Sequence, residues 1–210
     1  MARGGENPAL SATAFEARFP WPINRLKITG FCFFTLAFSH APQSMTETRT
    51  EIDVATEADL AGIMALQAAN QATRGGMLSV EMPQAHIEAM MRNMPLIVAR
   101  RESRVAGYLM ASAKAMNTGI PVLRAMLAAY PGTDDAYVYG PICVDQSERG
   151  KGLAAEMFAK LRQLTPGREG ILFIRLDNEA SLRAHRRMGM REVAGFELAG
   201  VHYAVFSYSG

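Results

Sequence analysis

The chain has 210 residues, 49% of them hydrophobic and 20% charged, with a formal net charge of +2. That composition excludes disorder throughout, collagen and coiled coil, and so small a charge makes no general case for nucleic acid or an anionic membrane as partner. Cys32 and Cys143 are the only cysteines, which excludes a disulfide framework and a clustered thiolate metal site and points to a reducing compartment, the cytoplasm.

Residues 1–44 differ from the rest. They carry Gly4, Gly5, Pro8, Pro20 and Pro22 and lack periodic apolar spacing. Residues 28–38 (ITGFCFFTLAF) are apolar, follow Arg25 and Lys27, and precede Ser39, His40 and Ala41. That order resembles a secretory signal, but the run is too short to span a bilayer, which takes about 20 residues. Glu6 and Glu16 also sit in what would be the basic region. The expectation is a start at Met45, with residues 1–44 a loose N-terminal extension or a mis-assigned start and the signal as the alternative; residues 45–210 form the domain.

Regular elements then alternate. Residues 51–55 read as a strand. Thr56 and Asp59 have the spacing of a capping box, with Asp where Glu is preferred. Leu60, Ile63 and Met64 give the buried face of a first helix. Arg74-Gly75-Gly76 breaks the chain, Pro83 suits a first helical turn, and Ile87, Met90 and Met91 give a second apolar face. Residues 96–100 and 105–112 read as a hairpin. A short helix over 121–130 ends at Pro131-Gly132. Residues 136–144 form a strand and 152–164 the clearest helix, with Leu153, Met157 and Leu161 spaced by four. Residues 171–176 suit a central strand, 180–188 a helix, and 192–197 and 201–206 closing strands. The result is an α/β chain.

The chemistry concentrates between the strand at 136–144 and the helix after it. Gly150 and Gly152 bare the backbone. The first N–H groups of a helix have no internal partner, and the macrodipole adds partial positive charge there. Arg149 and Lys151 add full charges. Basic residues in a first turn oppose the dipole and cost ~0.3–1 kcal/mol each, which makes sense if an anion such as a pyrophosphate binds. The plain alternative is a glycine turn with a solvated basic face. The Walker spacing is absent. A dinucleotide fingerprint would want Gly at Ala155; its G-x-G-x-x-A form does fit, but the preceding order of elements is not a βαβ start.

Arg149-Gly150-Lys151-Gly152-Leu153-Ala154 matches R-x-x-G-x-A, and with it the chain resembles the GNAT superfamily of acetyl-CoA-dependent N-acetyltransferases. The opening IDVATEADL, the hairpin over 96–112, and Asn178, Ser181 and His185 ahead of Gly189 are similar to that family in order and separation. Gly189-Met190 replaces its "GF" turn. The resemblance covers roughly residues 50–208. It implies a mixed α/β sheet of about six to seven strands, splayed between two parallel strands and flanked by about four helices.

The resemblance also implies roles. The backbone at Cys143 and Val144 would pair with the pantetheine arm of acetyl-CoA. The N–H groups of Gly150, Gly152, Leu153 and Ala154 would hold the pyrophosphate, supported by Arg149 and Lys151. Asn178, with Ser181 nearby, would contact the cofactor arm or a water near the thioester. His185 stands where the family often has a Tyr that protonates the leaving thiolate; its plain reading is a half-exposed helix residue among arginines. Val144 N–H would face the oxyanion. No metal and no covalent enzyme intermediate are implied.

Many relatives carry a carboxylate base where this chain has Gly140 and Pro141. Tyr139, Asp177 and His202 are the nearest replacements, beside a water chain. Cys143 reads as a small buried strand residue. Arg183, Arg186 and Arg187 read as a solvated face. The acceptor, a small-molecule or peptide amine, would enter a pocket built from the first two helices and residues 74–82 and 116–135, rich in methionine. An apolar, aromatic or amino-acid-like amine is the preferred class. A homodimer fits the family, and a non-catalytic CoA-binding module is the alternative function, with a nucleotide- or phosphate-binding protein third.

Overall fold

The computed structural model describes residues 50–78 and 80–210. The N-terminal extension, its signal-like run and Cys32 lie outside the described residues. The elements are β1 (Thr50–Val54), α1 (Leu60–Ala69), α2 (Gln84–Asn93), β2 (Ile97–Arg101), β3 (Arg104–Ala113), α3 (Pro121–Ala129), β4 (Tyr137–Val144), α4 (Leu153–Leu164), β5 (Glu169–Arg175), α5 (Glu179–Arg187), β6 (Arg191–Leu198) and β7 (Val201–Ser209). Among the described residues, no helix is long and apolar enough to cross a membrane.

The seven strands form one sheet in the order β1-β2-β3-β4-β5-β7-β6. Only β4 and β5 run parallel; their neighbours pair antiparallel. The mixed sheet and its parallel pair match the expectation. Among the described residues five α-helices flank it, one more than the resemblance implies, and α3, with Pro121 in its first turn, is the short helix read over 121–130.

Alternation along the strands sorts side chains onto two faces. Ile97, Leu109, Tyr139, Leu172 and Ile174 pack with Leu153, Met157 and Phe158 of α4 and Leu182 of α5. Val98, Tyr108, Met110 and Cys143 pack on the opposite face with α1 and α2. Val138, Ile171 and Val205 continue that second face under α3. The helices that carry the glycine turn and His185 therefore cover one side, and α1, α2 and α3 the other.

Local signals fixed several boundaries. Asp59 accepts the Thr56 N–H at 2.7 Å, closing the expected cap, and also binds Arg100 Nη2 at 2.7 Å. Pro83 sits just before α2 rather than within its first turn. Met64 is partly buried, while Leu66 and Gln67 join Leu60 and Ile63 on the inner face of α1. Gln67 spends its amide on the chain at Met82, donating to its carbonyl at 2.8 Å and accepting its N–H at 3.1 Å.

Candidate active site

The parallel ladder between β4 and β5 holds two residue pairs, Tyr137 with Gly170 and Val138 with Ile171. Beyond Val138 the strands part. Opposite Gly140 and Pro141 the β3–β4 register also shifts, between Leu109 and Ala111. Proline lacks an N–H, so it cannot serve a ladder. The parted strands leave a passage of about 130 Å³ through the sheet. Tyr139, Leu172, Ile174 and His185 line its α4–α5 side; Val138, Phe173, Leu123, Val80 and Met82 line the other.

A second crevice of about 230 Å³ continues from it toward the glycine turn. The two share Met77, Leu78, Ile142, Asn178 and Ser181. Cys143, Val144, Arg149 and Gly76 complete the crevice wall.

The phase of the β3–β4 pairing decides which β4 groups face the gap. Asp145 N–H donates to Ala106 O at 2.8 Å. Antiparallel pairs alternate between bonded and non-bonded. With Ala106–Asp145 bonded, Tyr108–Cys143 is the next bonded pair. Ile142 and Val144 therefore turn their N–H and C=O toward the open side. This corrects one expectation: the backbone of Cys143 is committed to β3, and the β4 groups turned to the gap are those of Ile142 and Val144. The Cys143 side chain is buried on the α1–α2 face, and burial pushes its thiol up to about 11. It is a packed thiol, as expected.

At the turn, Asp145 accepts Ser147 N–H at 2.9 Å, and Gly150 and Gly152 adopt φ of +77° and +89°. That left-handed conformation is why glycine stands there. Among the described residues, the N–H groups of Gly150, Gly152, Leu153 and Ala154 donate to no backbone carbonyl. The turn thus leaves four backbone donors without a backbone acceptor among the described residues.

The two basic residues separate. Arg149 lines the crevice, donating to Asn70 Oδ1 at 2.8 Å and Val144 O at 3.2 Å. Lys151 turns away to Glu148 Oε2 at 3.1 Å, which also takes Arg101 Nη1 at 3.1 Å. The sequence reading missed Glu148, a buried carboxylate that collects cations from two strands and the turn. It missed Asn70 too, whose partner lies 79 positions away.

His185 is buried, not half-exposed: 4% of its surface is accessible. Its Nδ1 lies 2.8 Å from the Ser181 carbonyl oxygen and 3.2 Å from Ser181 Oγ. A carbonyl only accepts, so Nδ1 carries the proton and Nε2 the lone pair. Nε2 is buried with no partner among the described residues. Burial, rather than the neighbouring arginines, holds the imidazole pKa below its ordinary value, and the bond to Ser181 offsets part of this.

Tyr139 packs edge-on against His185, with ring centroids 5.7 Å apart, and against Phe158 and Tyr208. Its hydroxyl is also buried and unpartnered. Burial pushes the phenol far above its ordinary value. Tyr139 therefore stays protonated, which suits a donor and opposes the base role read from the sequence. Of the three candidate replacements it alone lines the passage. Asp177 is held by Arg175 at 2.6 Å, and His202 faces Glu197 at 3.8 Å.

Asn178 caps α5, its Oδ1 accepting Ser181 N–H at 3.2 Å, while its side walls both cavities. Among the methionines, Met77 and Met82 line the passage. Met90, Met94, Met110 and Met126 are ordinary core, and Met91 and Met116 pack at its margin.

The sequence pattern of the acetyltransferase (GNAT) family matches residues 65–190, more than half of the chain. The chain belongs to that family. No curated protein matches the sequence. Among solved structures, an N-acetyltransferase from Staphylococcus aureus Mu50 is similar at TM-score 0.58 and 20% identity, covering 77% of this chain and 98% of that one. A ribosomal-protein-alanine N-acetyltransferase from Brucella melitensis gives 0.55 and 20%, covering 76% and 99%. A phosphinothricin acetyltransferase from Sinorhizobium meliloti, solved with acetyl-CoA, gives 0.57 and 20%, covering 76% and 88%. At these identities the likeness is one of fold.

Proposed function

We propose that the protein is a cytoplasmic N-acetyltransferase that moves an acetyl group from acetyl-CoA to the primary amine of a small molecule or peptide. One observation carries the reading. The gap beyond Val138 is continuous with a crevice that reaches Arg149, the residue just before the N–H groups of Gly150, Gly152, Leu153 and Ala154, which have no backbone partner among the described residues. A thioester on a long arm with a diphosphate at its far end fits that combination, and the acetyl-CoA complex of the Sinorhizobium protein supports it.

In this reading the amides of Gly150, Gly152, Leu153 and Ala154 hold the diphosphate, with Arg149 beside them and Lys151 stiffening the turn through Glu148. Ile142 and Val144 pair with the arm, and Val144 N–H faces the developing oxyanion. Asn178 and Ser181 form the wall beside it. The acceptor nitrogen approaches from the α1–α3 side.

The proton follows from the state of His185. Its Nε2 lone pair takes a proton from the attacking nitrogen as the C–N bond forms. The imidazolium returns that proton to the sulfur as the C–S bond breaks. Amide and free thiol result, with the imidazole restored, starting from the neutral amine whose ammonium proton has already passed to solvent. The Tyr139 hydroxyl donates a hydrogen bond toward the departing sulfur.

A second reading, a CoA-binding module without catalysis, draws on the absence of any Asp or Glu among the described residues lining the passage. Calorimetry with acetyl-CoA, CoA and ATP, followed by thiol release with an amine panel, tests both. Heat with acetyl-CoA plus thiol release supports the enzyme; heat without release supports the module; heat only with ATP overturns both.

A further inference from the structure

The lining of the passage is lopsided in charge on the side away from α4 and α5. Leu123, Val80, Met82 and Phe173 make that side apolar, and the charged residue among the described lining is Arg175. Side chains alternate along a strand, so Arg175 lies on the same face as Phe173. The two are one pleat apart, about 7 Å along β5. The edge-on contact of Phe173 with Tyr203, at 5.4 Å between centroids, marks that face as the one α3 covers.

The Arg175 guanidinium is committed on one edge. Nε donates to Asp177 Oδ1 at 3.0 Å and Nη2 to Oδ2 at 2.6 Å. Nη1 has no partner among the described residues, and the side chain is 31% exposed. A guanidinium presents five donors in a planar fork, so a second carboxylate can use the other edge. A bare alkylammonium group finds no counter-charge in the wall, because no carboxylate is among the described lining residues. A polycation finds no net negative charge at the rim, where Asp177 is already paired with Arg175.

We propose that the acceptor is a free apolar amino acid, its carboxylate held by the outer edge of Arg175 and its side chain against Phe173, Leu123 and Met82. This rests on the acetyl-transfer reading above and narrows it to a substrate class. Arg175 is then a specificity residue that touches substrate, and the amino group of the same molecule reaches into the passage toward the thioester.

The test pairs substrates that differ by one carboxylate: phenylalanine with phenethylamine, and methionine with 3-(methylthio)propylamine. Spermidine and a lysine-containing peptide with both ends blocked complete the panel. Wild-type enzyme is expected to favour each amino acid over its decarboxylated partner by about tenfold or more in kcat/KM, the worth of a charge-assisted hydrogen bond. Arg175→Gln is expected to lower kcat/KM for the amino acids by about tenfold more than for their decarboxylated partners and so erase that preference, and Arg175→Lys to restore part of it. The wild-type preference needs no variant to fold. Preference for spermidine, the blocked peptide or a decarboxylated amine overturns the proposal, as does equal loss on all substrates in Arg175→Gln. Acetyl-CoA binding without turnover of any amino acid overturns it too. Absence of acetyl-CoA binding in calorimetry instead overturns the acetyl-transfer reading itself.

Discussion

The imidazole Nδ1 of His185 lies 2.8 Å from the carbonyl oxygen of Ser181, one turn earlier in α5. That contact fixes the tautomer, and burial keeps the ring neutral. Tyr139 is the titratable group facing the ring from β4; the charge of Arg186, on the same helix, is paired outward with Glu192 at 2.8 Å. The folded-state pKa is depressed, so the unfolded chain binds the proton more readily. Stability is therefore held above the ordinary imidazole range and lost as pH falls through it. Urea melts across that window should show a slope in wild-type that is absent in His185→Gln. In the same series, the acidic limb of kcat/KM should lie below the ordinary imidazole value, and His185→Gln should lower kcat by about 10²–10⁴-fold. A variant that keeps both rate and limb would remove His185 from the chemistry.

Gly152 separates backbone strain from anion binding. A Cβ there meets nothing closer than Glu156 Oε1 at 3.7 Å, but the φ of +89° disfavours any side chain. Gly152→Ala should cost about 1–2 kcal/mol. Gly152→Glu carries the same strain and adds a negative charge at the start of α4. It should abolish acetyl-CoA binding in calorimetry, whereas Gly152→Ala weakens it less. Equal affinities in the two variants would place the diphosphate elsewhere.

Glu148 has 7% of its surface exposed and binds both Arg101 and Lys151 at 3.1 Å. Glu148→Gln leaves two cations without their counter-charge and should cost about 1–3 kcal/mol, less than the ~3–5 kcal/mol of a fully buried pair because Lys151 is half-exposed. It also frees Lys151 beside the glycine turn. Chemical denaturation should show the loss, and acetyl-CoA affinity should not fall.

The two hydrogen bonds between Gln67 and Met82, one in each direction, set one wall of the passage. Gln67→Ala should cost about 1–3 kcal/mol through the stranded backbone groups. Its kinetic signature should be a raised KM for the amine with acetyl-CoA affinity retained, since Met82 lines the passage and not the crevice. A loss confined to acetyl-CoA would contradict that division.

The glycine turn and the order of elements were legible because each depends on neighbours in sequence: a cap, a period, a break. Partners drawn from distant segments were not. Arg149 was placed beside the anion from its position in the motif, yet its tie to Asn70 gives no local signal. Lys151 was read by the same motif logic and turned instead to Glu148, a residue whose burial no periodicity announced. His185 looked half-exposed because arginines flank it in sequence. The turn of α5 sends Arg183 and Arg186 outward to Glu179 and Glu192 while its own ring goes under Tyr139. Gly76 shows the same limit: a Cβ there would fall 1.8 Å from Asn70 O, a steric demand visible only once the loop has closed.

The short parallel ladder has a mechanical corollary. Strands β1 to β4 form one leaf of the sheet and β5, β7 and β6 the other, and among the described residues the ladder between them consists of Tyr137–Gly170 and Val138–Ile171. A guest lying along Ile142 and Val144 would extend that seam by new rungs. Amide exchange at Ile171 and Leu172, deep in the core though they are, should then slow when the seam is lengthened, so the innermost strands report on whether the crack between them is filled.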